Sequence, residues 1–209
     1  VTAPNRRIAV LISGRGSNLQ SIIDAIADGR LDATIAVVVS NRRDAPGLQR
    51  AQAAGIETIC VSPKDYPNRD ASDRAIVDVL QARDVGLVCL AGYMLIVGRP
   101  ILDAFKHRIL NIHPSLLPSF PGLDAQRQAL EYGVRITGAT VHLVTDGLDD
   151  GPIVEQRAVP VLPGDAAETL AARILVEEHR LYPEAIGLVL GGGWSLDGRR
   201  FVRRSGAEE

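Results

Sequence analysis

The chain has 209 residues, 46% of them hydrophobic and 23% charged, long enough to bury a large core without metals or disulfides. Its formal net charge of −2 gives no reason to expect a polyanionic partner such as DNA, whose binding needs a broad basic surface, so any phosphate must be met locally. No stretch approaches the length of a membrane span, which argues against a membrane protein.

The chain opens with VTAPNRRIAVLIS, basic residues before an apolar stretch, but that stretch is too short for a secretory leader. IAVLI (8–12) reads instead as a first strand, followed by TIAVVVS (34–40), ETICV (57–61), GLVCLA (86–91) and RILNI (108–112). Between them, 18–28 places Leu19, Ile22, Ile23 and Ile26 on one helical face, and 70–83 does the same with Ile76, Val77 and Leu80. Strands apolar on both faces that alternate with helices predict an α/β fold with a doubly wound, mostly parallel sheet. Cys60 and Cys89 lie inside the apolar runs TICV and LVCL and read as core packing, which fits a reducing, cytoplasmic compartment.

From residue 136 the pattern changes. ITGATVHLVTD (136–146) alternates in strand fashion, and PIVEQRAVPV (152–161) follows after a short turn-rich link, so the two predict an antiparallel edge. A long helix over 166–181 comes next, then GGGW and an arginine-rich tail, RRFVRR (199–204), read as a solvated terminus. With no internal repeat or linker, residues 1–209 are expected to form a single domain.

Ligands of open α/β sheets bind beyond the carboxyl ends of the strands. Three stretches fall there: SGRGSN (13–18), AGYM (91–94) and NIHPS (111–115), and they should line one crevice. The first lacks the third glycine of a dinucleotide fingerprint, since Leu19 stands in its place, and it has no Gly-Lys-Ser/Thr ending. What remains is a Gly-x-Gly turn opening a helix, a site for one phosphate group on the amides of Gly16, Ser17 and Asn18.

In ILNIHPSLLPSFPG (109–122), Asn111 and His113 are two residues apart on an extended strand and so share a face. Pro114 holds the backbone of His113 extended. An amide donor beside a titratable ring can stabilise an oxygen that becomes negative. A nearby carboxylate would raise the ring's pKa and hold it charged near neutral pH, and DGLDDGP (146–152) offers Asp146, Asp149 and Asp150, among which spacing does not choose. Of the other histidines, His142 alternates within a strand and reads as core or as support for the site. His179 reads as a partner of a helix end, and His107 has no close metal-ligand spacing to any of them. No metal site is expected.

These stretches, with SNRRDAPGLQRA, LAGYM, TGATVHLVTDGLDDGPIV and EEHRLYPEA, occur in the order and spacing of the phosphoribosylglycinamide formyltransferases. The resemblance covers 7–190; Asn-x-His-Pro-Ser-Leu-Leu-Pro marks the formyltransferase superfamily, and the Gly-x-Gly-Ser-Asn loop this branch of it. It implies a formyltransferase-like Rossmann variant that moves the formyl group of 10-formyltetrahydrofolate to the amine of glycinamide ribonucleotide, in purine biosynthesis. It also implies a monomer or homodimer with no nucleic-acid or membrane partner. By the resemblance, the catalytic residues are Asn111, His113 and Asp149. The ribonucleotide is bound by Gly16, Ser17, Asn18 and Glu178. The folate is bound by Arg69, Met94, Leu95, Ile96, Val97, Asn111, Thr145 and Asp146, with Arg69 facing a glutamate carboxylate. Leu95 stands where many members carry a basic residue, and Asp124 and Gln126 replace common histidines. A tRNA-formylating enzyme would need a further carboxy-terminal domain, a formyltetrahydrofolate hydrolase an amino-terminal module, and a ligand sensor no catalytic trio. None of these three matches the sequence as well.

Overall fold

The structure, a computed structural model, describes residues 5–203; the ends of the expected 1–209 domain lie outside them. The strands are β1 (Arg7–Ile12), β2 (Thr34–Ser40), β3 (Thr58–Cys60), β4 (Leu87–Leu90), β5 (Ile109–His113), β6 (Ile136–Leu143), β7 (Ile153–Pro160), β8 (Trp194–Asp197) and β9 (Arg200–Arg203). The helices are α1 (Ser17–Ala27), α2 (Pro46–Ala53), α3 (Arg69–Gln81), α4 (Arg99–Ala104), α5 (Ala125–Tyr132) and α6 (Ala167–Gly191).

The strands form one nine-stranded sheet in the order β3-β2-β1-β4-β5-β6-β7-β9-β8. From β3 through β5 all neighbours are parallel. The hairpin β6–β7 then runs antiparallel, as the short link between them requires. Alternate residues of β1 feed opposite layers. Ile8, Val10 and Ile12 pack with Leu19 and Ile22 of α1 and Ile174, Tyr182 and Ile186 of α6. Ala9 and Leu11 pack with Ile76 and Leu80 of α3 and Ile101 of α4. Burial on both faces is what makes these strands continuous apolar runs. Cys89 is buried, Cys60 is partly buried, and both are free thiols.

Two expectations are corrected. The helix predicted over 166–181 continues to Gly191 with Pro183 inside it. Proline breaks one backbone hydrogen bond, but stopping there would expose Tyr182, Ala185, Ile186, Val189 and Leu190, each at most 1% exposed. His179 therefore lies within the helix rather than near its end. The tail read as a solvated terminus instead supplies β9, which pairs with β8 and touches β7; Arg204 lies outside the described residues. Trp194 anchors this hairpin: it is 2% exposed, stacks on Phe201 at 4.8 Å, and donates from Nε1 to Val189 O.

Candidate active site

The Gly-x-Gly turn follows β1 and ends in Gly16, whose φ of 70° is the left-handed conformation that glycine adopts without strain. A second reason for glycine is proximity: a Cβ at Gly16 would lie 2.7 Å from the Gly47 Cα at the start of α2. Ser17 and Asn18 open α1, so their amides belong to its first turn. The Asn18 side chain donates from Nδ2 to Glu178 Oε2 at 2.7 Å, joining the turn to α6. Burial pushes the Glu178 carboxyl above its ordinary pKa, and the Asn18 bond opposes it. The four residues expected to bind the ribonucleotide thus form one corner.

A strap without regular structure runs from Tyr93 to Gly98, between β4 and α4. Its Met94 N–H donates to Ser13 Oγ at 2.8 Å, which ties it to the glycine turn. Arg69 donates from Nη2 to Ile96 O at 2.8 Å. Met94 and Ile96 are 64% and 75% exposed, an apolar surface beside the turn, while Val97 is buried. Arg69, expected to meet a carboxylate of the folate, already faces one in the protein: its Nε lies 2.9 Å from Asp73 Oδ1.

Asn111 and His113 project from β5, and the antiparallel register sets Asn111 directly opposite His142 of β6. The His142 Nδ1 lies 3.0 Å from Leu143 O and donates to it. In the neutral ring Nε2 accepts from Asn111 Nδ2 at 3.2 Å, and the same nitrogen lies 3.6 Å from Asp149 Oδ1. The other hydrogen of Asn111 Nδ2 is held weakly, with Asp149 Oδ1 at 3.5 Å. His142 therefore orients Asn111, the supporting role open to it in the sequence.

Asp149 is the one of the three candidate carboxylates that meets His113. Its Oδ2 lies 3.3 Å from His113 Nδ1 and accepts from the Gly122 N–H at 2.8 Å. Asp146 pairs with Arg99, and Asp150 with Arg199, both at the surface. Thr145 is exposed beside Asp146 and carries no side-chain contact to Asn111, His113 or Asp149 among the described hydrogen bonds. Burial pushes the Asp149 carboxyl up, but His142, the Gly122 amide and His113 together hold it below its ordinary pKa, so it is a carboxylate.

His113 is 5% exposed, and its Nε2 donates to Phe120 O at 2.9 Å. Both ring nitrogens face acceptors, an arrangement fully satisfied only by the doubly protonated ring. Burial is the larger influence and draws the pKa below its ordinary value; the Phe120 carbonyl and Asp149 raise it, and His142 lowers it. The expectation of a ring held charged by its carboxylate is corrected accordingly. The carboxylate is there, but desolvation of the cation outweighs it. Among the described residues, no group of three or more His, Cys, Asp or Glu side chains could hold a metal ion.

A family model described as formyl transferase matches residues 6–186. Phosphoribosylglycinamide formyltransferase of Escherichia coli (strain K12) is 43% identical over 200 residues, 96% of this chain and 92% of that one. The chain belongs to the formyl transferase family, among its phosphoribosylglycinamide formyltransferases. The crystal structure of glycinamide ribonucleotide transformylase 1 from Symbiobacterium toebii superposes with a TM-score of 0.92 at 58% identity, covering 93% of this chain and 92% of that one. The trifunctional purine biosynthetic protein adenosine-3 of Drosophila pseudoobscura pseudoobscura is 47% identical over 92% of this chain, which spans only 14% of that protein's length. The mostly parallel sheet with an antiparallel edge is thus the fold of this family, as the strand pattern predicted.

Sequence reasoning missed the parts of the site that hold others in place. Ser13, Asp73, Phe120 and Gly122 act through tertiary contacts that no local pattern announces. Only Asp73 left a trace, standing four residues after Arg69 on the same helical face.

Proposed function

We propose that the protein transfers the formyl group of 10-formyltetrahydrofolate to the amine of glycinamide ribonucleotide, giving formylglycinamide ribonucleotide and tetrahydrofolate in the purine (IMP) pathway. The observation that carries this reading is the convergence of an amide, an imidazole and a carboxylate: Asn111 and Asp149 lie within 3.5 Å, and Asp149 and His113 within 3.3 Å.

The amine lone pair attacks the formyl carbon, and the carbonyl electrons move onto oxygen. Asn111 Nδ2 and His113 Nε2 donate to that oxyanion, with the formyl oxygen taking the place of the Phe120 carbonyl on the ring. A ring that is neutral before substrate binds gains proton affinity as negative charge grows on one side and Asp149 stands on the other. The His113–Asp149 pair takes the proton lost by the attacking nitrogen; the oxyanion then re-forms the C=O bond as the C–N10 bond breaks, and N10 takes up that proton as tetrahydrofolate leaves. Phosphate binding by the Gly16, Ser17 and Asn18 amides fits a helix amino terminus behind a glycine turn. Glu178 then reaches the ribose or glycinamide end. The strap of Met94, Leu95, Ile96 and Val97, with Arg69, Thr145 and Asp146, receives the folate; its exposed apolar side chains and backbone groups suit a flat ring with a polar edge. No helix among the described residues is long and apolar enough to cross a membrane. The same reading carries a cytoplasmic monomer or homodimer.

The test is formyl transfer measured with and without glycinamide ribonucleotide. Tetrahydrofolate release only in its presence, lost in a folded His113→Ala variant, is the expected result. Equal release without the ribonucleotide would replace transfer by hydrolysis, and near-parental turnover in His113→Ala would remove the ring from the mechanism.

A further inference from the structure

We propose that Asp73, a residue of α3 outside the catalytic group, is a positioning residue that locks the 94–98 strap into its ligand-receiving shape. The proposal deepens the reading above, because it rests on that strap receiving the formyl donor.

The strap has no helix or ladder of its own to fix it, so its conformation depends on contacts from elsewhere. Its front is pinned by Ser13 Oγ at the Met94 N–H, and its middle by Arg69 Nη2 at Ile96 O. Its rear is pinned by Asp73, whose Oδ2 accepts from the Gly98 N–H at 2.9 Å. The other oxygen, Oδ1, stands 2.9 Å from Arg69 Nε. One carboxylate therefore holds the rear of the strap directly and its middle through the guanidinium.

Asp73 is 0% exposed, and a carboxylate taken wholly out of water is costly unless paired and bonded. Burial pushes its pKa up against the pull of Arg69 and the Gly98 amide. The Arg69 N–H is not aimed along the contact, so neither Nε nor Oδ1 completes a hydrogen bond there. A helix built for stability alone would carry an apolar residue at this position, facing the layer of Ile76 and Leu80. What the charge adds is a hold on two groups. Its attraction keeps the guanidinium close, with Nη2 at Ile96 O, and it captures the one amide that ends the strap before α4 begins. Gly98 is part of the device: a Cβ there would run into Asp73 Oδ2.

Two substitutions approach the contact from opposite sides. Asp73→Asn keeps the size and removes the charge, while Gly98→Ala keeps the charge and drives a methyl group against it. If one variant fails to fold, the other carries the test. For each, steady-state kinetics with both substrates is paired with amide hydrogen exchange of 94–98 in the absence of substrate. KM for 10-formyltetrahydrofolate should rise about tenfold, the size of one charge-assisted contact, with KM for the ribonucleotide within about twofold of parental. Exchange should accelerate in the strap and stay unchanged in β4. A merely structural role would move both KM values together or neither, and unchanged strap exchange in both variants would overturn the proposal. Absence of transfer in the parent protein would defeat the proposed function, and the exchange result alone would then decide whether Asp73 locks the strap.

Discussion

Asp149→Asn separates charge from shape at the centre of the site. Asp149 has φ of 49°, a left-handed conformation that asparagine tolerates and alanine does not, so the amide variant keeps the backbone while an alanine variant adds strain. The amide oxygen can still accept from the Gly122 N–H, but the negative charge 3.3 Å from His113 Nδ1 is gone. A hydrogen bond to a charged group contributes roughly 1.5 to 3 kcal/mol, and the Asp149 contact with the ring is the one such bond the variant loses. If the ring takes up a proton as the oxyanion forms, turnover should fall roughly 10- to 100-fold. The pH profile gives the sign. The ring must be neutral before substrate binds, so kcat/KM should rise with pH through a limb below the ordinary 6.5. Removing a group that raises the ring's pKa should move that limb further to acid. Turnover within about threefold of parental, or a limb that stays in place or moves to alkaline pH, would refute the coupling.

Gly16→Ala combines a left-handed φ of 70° with a Cβ 2.7 Å from Gly47 Cα, so the glycine turn must shift. A strain of about 1 to 2 kcal/mol should raise KM for the ribonucleotide roughly 10-fold with little change for the folate, and equal KM values would contradict a phosphate role for the turn. Arg199 donates to the carbonyl and carboxylate of Asp150, next to Asp149, from a turn whose side chain is 66% exposed. An exposed pair is worth at most about 1 kcal/mol, so Arg199→Ala should lower kcat no more than about fivefold, and high salt should reduce the parental rate in the same direction. A salt-independent rate equal in both proteins would detach the hairpin from the site. Asp165 accepts from both ends of the Arg173 guanidinium, from the Leu162 N–H and from Thr169, which hold its carboxyl well below the usual range. Its contribution is complete above the unfolded carboxylate pKa and lost only as pH falls through the depressed folded value. Asp165→Ala should therefore unfold at lower temperature near neutral pH, with the difference closing only in strong acid; calorimetry across pH would expose a constant gap.

Much of this was legible in the sequence because it follows from period. Strands buried on both faces are continuous apolar runs, and a two-residue spacing put Asn111 and His113 on one face. What stayed hidden depends on register and long-range contact. The pairing of Asn111 with His142 requires the antiparallel register between β5 and β6, and the selection of Asp149 over its two neighbours requires the Gly122 amide. The β8–β9 hairpin escaped because four arginines in six residues read as solvated, and Arg199, Arg200 and Arg203 are indeed exposed, while Trp194 brings the backbone into the sheet. Helix α6 outran its expected end because the apolar face beyond Pro183 outweighs one lost hydrogen bond.

The same contacts explain why the glycine turn, the strap and the Asn111–His113 pair lie together. β1 and β4 are neighbours in the sheet although far apart in the chain, so the loops leaving them emerge side by side. Ser13 exploits this: its N–H donates to Gly92 O and its hydroxyl accepts from Met94 N–H, making the glycine turn and the strap a single bonded unit. β5 is the next strand over, so Asn111 and His113 arrive beside that unit without a long loop of their own. Although α5 lies between them in the chain, β6 runs antiparallel to β5, which sets His142 against Asn111, and the link from β6 to β7 returns Asp149 to His113. The antiparallel edge of the sheet is thus the feature that brings an imidazole and a carboxylate together beside the glycine turn and the strap.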